Sequence, residues 1–189
     1  IPTADFGVGL LGKHKDGLVD WQLNAVNGEG YDKSEVDAGK TVQARVSVDP
    51  MAPQKGSIKL PITGYVQYGG SSTEGVDPTI IAGGAVGLDM PYVTVLGQFL
   101  MKSQGDASGM GYSASLLPRV PKVVTGVVRY DHWDPSTETD DDATTTMIVG
   151  ASHHFAPKVA SSLTYERTAA EAAPDTPAHG VFVRMLAGF

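Results

Sequence analysis

Apolar and polar residues alternate one by one in segments of roughly ten residues along this chain, and that period of two limits the fold more than any other feature. A helix repeats every 3.6 residues and cannot hold such a pattern on one face, whereas a strand turns successive side chains to opposite faces. Val19, Trp21, Leu23 and Ala25 oppose Asp20, Gln22 and Asn24. Val42, Ala44, Val46 and Val48 oppose Thr41, Gln43, Arg45, Ser47 and Asp49. Val124, Gly126, Val128 and Tyr130 oppose Thr125, Val127, Arg129 and Asp131, and near the end Val181, Val183, Met185, Ala187 and Phe189 oppose Arg184. Val, Ile, Thr, Tyr and Phe enrich these segments, while 23 Gly and 12 Pro, with Ser and Asp, separate them.

The pattern predicts about eleven strands and an all-β chain: Asp5 to His14, Leu18 to Asn27, Thr41 to Asp49, Ile58 to Tyr68, Thr79 to Leu88, Tyr92 to Lys102, Met110 to Leu117, Lys122 to Asp131, Thr144 to Phe155, Lys158 to Arg167 and Gly180 to Phe189. A soluble sandwich shares this period, so the nature of the polar face has to discriminate. That face carries full charges within strands at Asp20, Arg45, Lys59, Lys102, Arg129, Asp131, Glu166 and Arg184. A lone charge in a dry core is costly, and a water-filled lumen removes the cost. These eight residues are therefore expected to line a pore.

Connection lengths point the same way. Short turns at Lys15 to Gly17, Asp89 to Pro91, Pro118 to Pro121 and Ala156-Pro157 alternate with longer stretches at 28–39, 69–78, 103–109, 133–143 and 168–179, with 50–56 an over-long short turn. Short turns on one side and long loops on the other mark transmembrane antiparallel up-and-down β-barrels. A membrane helix needs about 20 consecutive apolar residues, and no run here reaches that, but a membrane strand needs only about 9–11. Trp21, Tyr65, Tyr68, Tyr92, Phe99, Tyr130, Trp133, Phe155, Tyr165 and Phe189 are expected to form interfacial girdles.

Other chemistry is sparse. Cysteine is absent, so no thiolate site or disulfide framework exists. A net charge of −7 without a Lys/Arg cluster argues against nucleic acid as a partner. The carboxylates from Asp131 to Asp142 lack EF-hand spacing. His153 and His154 fall on opposite sides of a strand, and Gly83, Gly84 and Gly87 precede no helix. With no Gly-x-Ser-x-Gly elbow, Asp131, His132 and Asp134 are the nearest approach to a catalytic cluster. No enzyme activity, metal or cofactor is expected. The chain opens at Ile1 without the pattern of a secretory signal, which suggests that something upstream was removed or left out.

Several short motifs then carry a resemblance. Pro2 to Val8 followed by Leu11-Gly12, Val26 to Tyr31, Arg45 to Val48 with Pro50, and Arg129 to Pro135 resemble the C-terminal portion of porins of the phosphate-selective porin O and P group. The resemblance implies that residues 1–189 form the C-terminal part of one barrel of about sixteen or more strands, its N-terminal strands absent from this sequence, an even total being usual in bacterial barrels. It implies a Gram-negative outer membrane, lipid and lipopolysaccharide as surroundings, a homotrimer, and passive diffusion of small polar or ionic solutes. Phe189 looks like the terminal assembly signal of such proteins.

Phosphate selectivity is not carried over, since in that group it depends on basic residues upstream of these segments. The visible lumen instead balances Arg45, Lys59, Lys102, Arg129 and Arg184 against Asp20, Asp49, Asp131 and Glu166. Loop acids, among them Glu29, Asp32, Asp134, Asp140, Asp141 and Asp142, predict weak cation preference or none. The competing expectation is a structural or partner-binding barrel with a plugged lumen.

Overall fold

Strand propensity and alternation translate into eleven strands in a computed structural model that describes residues 7–27, 39–52, 57–70, 76–121, 123–156 and 159–187. In chain order they are β1 (Gly7–His14), β2 (Val19–Val26), β3 (Thr41–Val48), β4 (Ile62–Gly69), β5 (Thr79–Met90), β6 (Val93–Gln104), β7 (Ala107–Val120), β8 (Val124–Asp134), β9 (Thr144–Ala156), β10 (Val159–Ala170) and β11 (Ala178–Ala187). Each pairs antiparallel with its neighbours in sequence, giving one up-and-down sheet. The sheet is open, with β1 and β11 as its edges. No helix among the described residues is long and apolar enough to cross a membrane, which says nothing of strands.

Directly paired residues of antiparallel strands share a face, so the register sorts the whole sheet into two surfaces. One is apolar: Leu23, Ala44 and Val66 form a single cross-strand row, and Val128 with Val149 belongs to another. The other is polar: Gln22, Arg45, Tyr65, Gly83, Leu100, Gly111, Trp133 and Thr144 are successive partners across β2 to β9. One register shift interrupts the ladders, between Val159 and Ala160.

Burial on these surfaces is the reverse of a soluble sheet, whose apolar face packs against a core. On β4, Ile62, Val66 and Tyr68 are exposed while Thr63, Tyr65 and Gln67 are half-buried. Val183 and Met185 on β11 are 74% and 79% exposed, yet Thr41 and Ser113 on the polar face are 6% and 8% exposed. Among the described residues no side chain is fully buried. The polar face is the concave one, because β4 through β8 together line a single hollow on it.

The turns depart from expectation in two places. Residues 103–109 do not form a long loop: β6 continues to Gln104 and β7 starts at Ala107, leaving Gly105-Asp106 as a two-residue turn. Gly105 has φ +59°, the positive φ that a type II′ hairpin requires at its first position. Pro118 does not open the β7–β8 turn either, since β7 continues to Val120. Pro118 faces Val93 on β6, and the β7–β8 pairing lapses between Leu116 and Arg119, where proline has no N–H to give.

Gly105→Ala should cost about 1–2 kcal/mol, because a Cβ at that φ is strained and would approach Asp77 Oδ2 to 2.5 Å. The denaturant midpoint of the refolded variant measures it, and an unchanged midpoint would contradict the turn geometry.

Candidate functional site: the concave polar face

Seven of the eight residues expected to line a pore fall on strands that place them on the polar face: Asp20, Arg45, Lys102, Arg129, Asp131, Glu166 and Arg184. Lys59 lies outside the strands but bridges to Asp89 in the same register, their backbones exchanging two 2.9 Å hydrogen bonds. The register adds Lys13, Asp89 and Arg119 to this face. Asp49 lies just past β3, where its Oδ1 accepts the Met51 and Leu60 N–H groups at 3.0 Å, so it serves the turn. On the strands and the Lys59 bridge, seven basic residues thus face four acidic ones, and the wall is net basic, not near neutral.

Three arginines are tied to carboxylates. Arg45 reaches diagonally from β3 to Asp20 at 2.5 Å. Arg129 Nε donates to both oxygens of Asp131, two residues along the same strand, at 2.8 Å. Arg119 donates to Asp89 Oδ1, to Met90 O at 2.7 Å and to Thr94 Oγ1 at 2.8 Å, and Thr94 in turn donates to Asp89 at 2.6 Å. These half-exposed pairs are worth little individually, but each offsets one arginine against one aspartate on this face. Among the described residues Lys13, Lys102 and Glu166 have no ion-pair partner.

Uncharged polar groups are linked as well. Gln22 donates to Asn24, Asn24 to Gln43 and Gln43 to Gln67, each at 3.1 Å, while Tyr65 OH donates to Gln67 at 2.6 Å. This amide chain crosses β2, β3 and β4 and satisfies groups that a dry face would leave costly.

A hollow of about 360 Å³ lies in the middle of this face. Gly83, Leu100 and Gly111, with Ala85, Gln98 and Ser113 in the next polar-face row, form its floor, with Tyr65 on one side and Trp133, Arg129 and Asp131 on the other. Trp133 lies over its cross-strand partner Gly111, where a Cβ would come within 2.6 Å of the indole Cε3. Tyr65 and Trp133 therefore belong to the polar face and not to an interfacial girdle, a correction that only the register supplies. Tyr68, Tyr130 and Tyr165 do lie on the apolar face, where Tyr112 stacks on His132 at 4.9 Å.

Arg119 and Asp89 were absent from the expected pore-lining set because Pro118 and Pro91 read as turn signals. The alternation of Ser113, Ser115 and Arg119 with Tyr112, Ala114, Leu116 and Pro118, broken only at Leu117, is the signal that recovers Arg119.

Among the acidic loop residues, Asp134 closes β8, while Asp140, Asp141 and Asp142 occupy the β8–β9 connection. Glu29, Asp32 and Phe189 lie outside the described residues. Burial, followed by the nearby Asp134 and Glu171 carboxylates, raises the Asp142 carboxyl above its ordinary range. Its Oδ1 is buried without a hydrogen-bond partner. Among the described residues no group of three or more His, Cys, Asp or Glu could hold a metal ion. Compared with models of known families and with curated proteins, the sequence matches none.

A raised folded-state pKa means that Asp142 favours the folded loop below its unfolded pKa and loses that contribution as pH rises through the folded value. Asp142→Asn should therefore raise the denaturant midpoint at pH 8 and change it little near pH 3, where the parent carboxyl is already neutral. An equal effect at both pH values would show that charge is not the cause.

Proposed function

We propose that this chain forms part of a bacterial outer-membrane β-barrel whose concave polar face lines a water-filled passage for passive diffusion of small polar or ionic solutes. One observation carries the reading: one face of the eleven strands is mostly apolar and exposed, with Arg167 and Asp134 as charged exceptions near strand ends, while eleven charged residues, ten on the strands and Lys59 at its bridge, share the other face. A sheet has to bury its apolar face against something, and no second sheet or long helix is present among the described residues to do so. Lipid tails provide that cover, and water on the concave side solvates Lys102, Glu166 and Arg184.

Strand lengths support it. The strands run from 8 to 14 residues, around the 9–11 or so that a tilted membrane strand needs. The edges support a larger barrel. Ten antiparallel steps leave β1 and β11 running in the same direction, so joining them directly would require a parallel pair. An odd number of further strands between them closes the barrel with antiparallel pairs throughout and an even total. The motif resemblance to phosphate-selective porins O and P agrees with that, and adds the proposal of a trimer surrounded by lipid and lipopolysaccharide. The net basic wall favours weak anion preference over the cation preference suggested by the loops, because wall charges stand closer to a permeating ion than loop charges screened over about 8–10 Å.

Two measurements test this. Val149→Arg places a charge on the apolar face of β9, and in lipid vesicles should cost about 2–4 kcal/mol if that face meets the bilayer interior. The same change on a water-facing surface stays within about 0.5 kcal/mol, an outcome that would remove the membrane from the proposal. In planar bilayers, the full-length protein should show stepwise conductance and a small reversal potential of anion-preferring sign. Verified insertion without current steps would instead indicate a plugged or structural barrel.

A further inference from the structure

Resting on the reading of the concave face as a solute passage, we infer that the hollow between Tyr65 and Trp133 is a binding subsite for an uncharged cyclic polyol of monosaccharide size. Its volume of about 360 Å³ falls near the lower end of ligand-pocket sizes, which run from about 300 to 1,000 Å³. Small residues make room for the guest on either side of β6: Gly83 and Ala85 on β5 and Gly111 and Ser113 on β7 flank Leu100 and Gln98, which rise between them from the same face. The indole of Trp133 is fixed over Gly111 and presents an apolar plane at the edge of the hollow.

The polar groups there match hydroxyls rather than a charge. Arg129 and Asp131 are joined through both carboxylate oxygens, so their formal charges cancel within the site. An entering anion meets Asp131 and an entering cation meets Arg129. A polyol avoids both penalties, since each hydroxyl donates and accepts. Asp131 offers acceptor capacity, the remaining guanidinium N–H groups of Arg129 offer donors, and the Gln98 amide, unpaired among the described residues, offers both. The C–H face of a saturated ring packs on the indole while its hydroxyls meet these groups, the division between apolar lining and a few placed polar groups that ligand sites use.

The test is a tryptophan-fluorescence titration of the detergent-purified full-length protein with D-glucose, using inorganic phosphate and benzoate as charged comparators. The change is assigned to Trp133 by its loss in Trp133→Phe. A saturable change with glucose, weakened about tenfold by Asp131→Asn and also weakened by Tyr65→Ala, is expected. Saturation by phosphate or benzoate and not by glucose overturns the inference in favour of an anion site, and no saturable change with any probe overturns it outright. Bilayer conductance of the same preparation separates the two readings. Current steps without glucose binding defeat the subsite alone, whereas glucose binding without steps defeats the passage and leaves a binding site.

Discussion

Antiparallel pairing of each strand with the next is the constraint from which the other properties of this molecule follow. Because paired residues share a face, an alternating segment is only locally two-sided until its neighbours adopt the same parity. Ladders from Gly7↔Val26 at one edge to Thr168↔Ala178 at the other extend that parity across the sheet. A slip of one residue at any ladder would move Arg45, Arg129 or Arg184 onto the apolar surface. The amide chain from Gln22 to Gln67 and the diagonal Arg45–Asp20 pair oppose such slips on β2 to β4.

Parity also explains the inverted burial. A soluble sheet gains stability by removing its apolar face from water, but here the sheltered side holds Thr41, Ser113, Tyr65 and the charge pairs, while Val66, Val149 and Val183 stay exposed. The sheet thus shelters its polar face and leaves its apolar face uncovered, an arrangement that supports the proposed apolar surroundings and hydrated passage. The Arg119 cluster shows how the polar face accommodates charge: a guanidinium near the β5–β6 turn is held by Asp89, Thr94 and the Met90 carbonyl.

The strands were legible from sequence because each one repeats its signal over many residues. All eleven expected segments overlap observed strands, and the loop from Pro135 to Ala143 lies within the expected stretch. Single-residue turn signals were less informative. Pro118 remained within β7 because β6 still pairs with it, and the Ser103 to Gly109 stretch collapsed into a hairpin because one glycine at φ +59° can reverse the chain in two residues. The same weakness hid Arg119, next to Pro118, and Asp89, two residues before Pro91, which both have the look of turn residues.

By itself the sequence determined the number of strands, their two-faced character and the placement of mid-strand charges on the polar side, since all of these follow from a local period of two. Only the tertiary structure decided which residues meet. Tyr65 and Trp133 are 68 positions apart, and neither period nor composition relates them, yet cross-strand register and curvature bring them to opposite sides of one hollow beside Arg129 and Asp131. It likewise decided that Arg45 pairs with Asp20 while Lys102 and Glu166 have no ion-pair partner among the described residues, because ion pairing depends on diagonal distances between strands that no local pattern encodes.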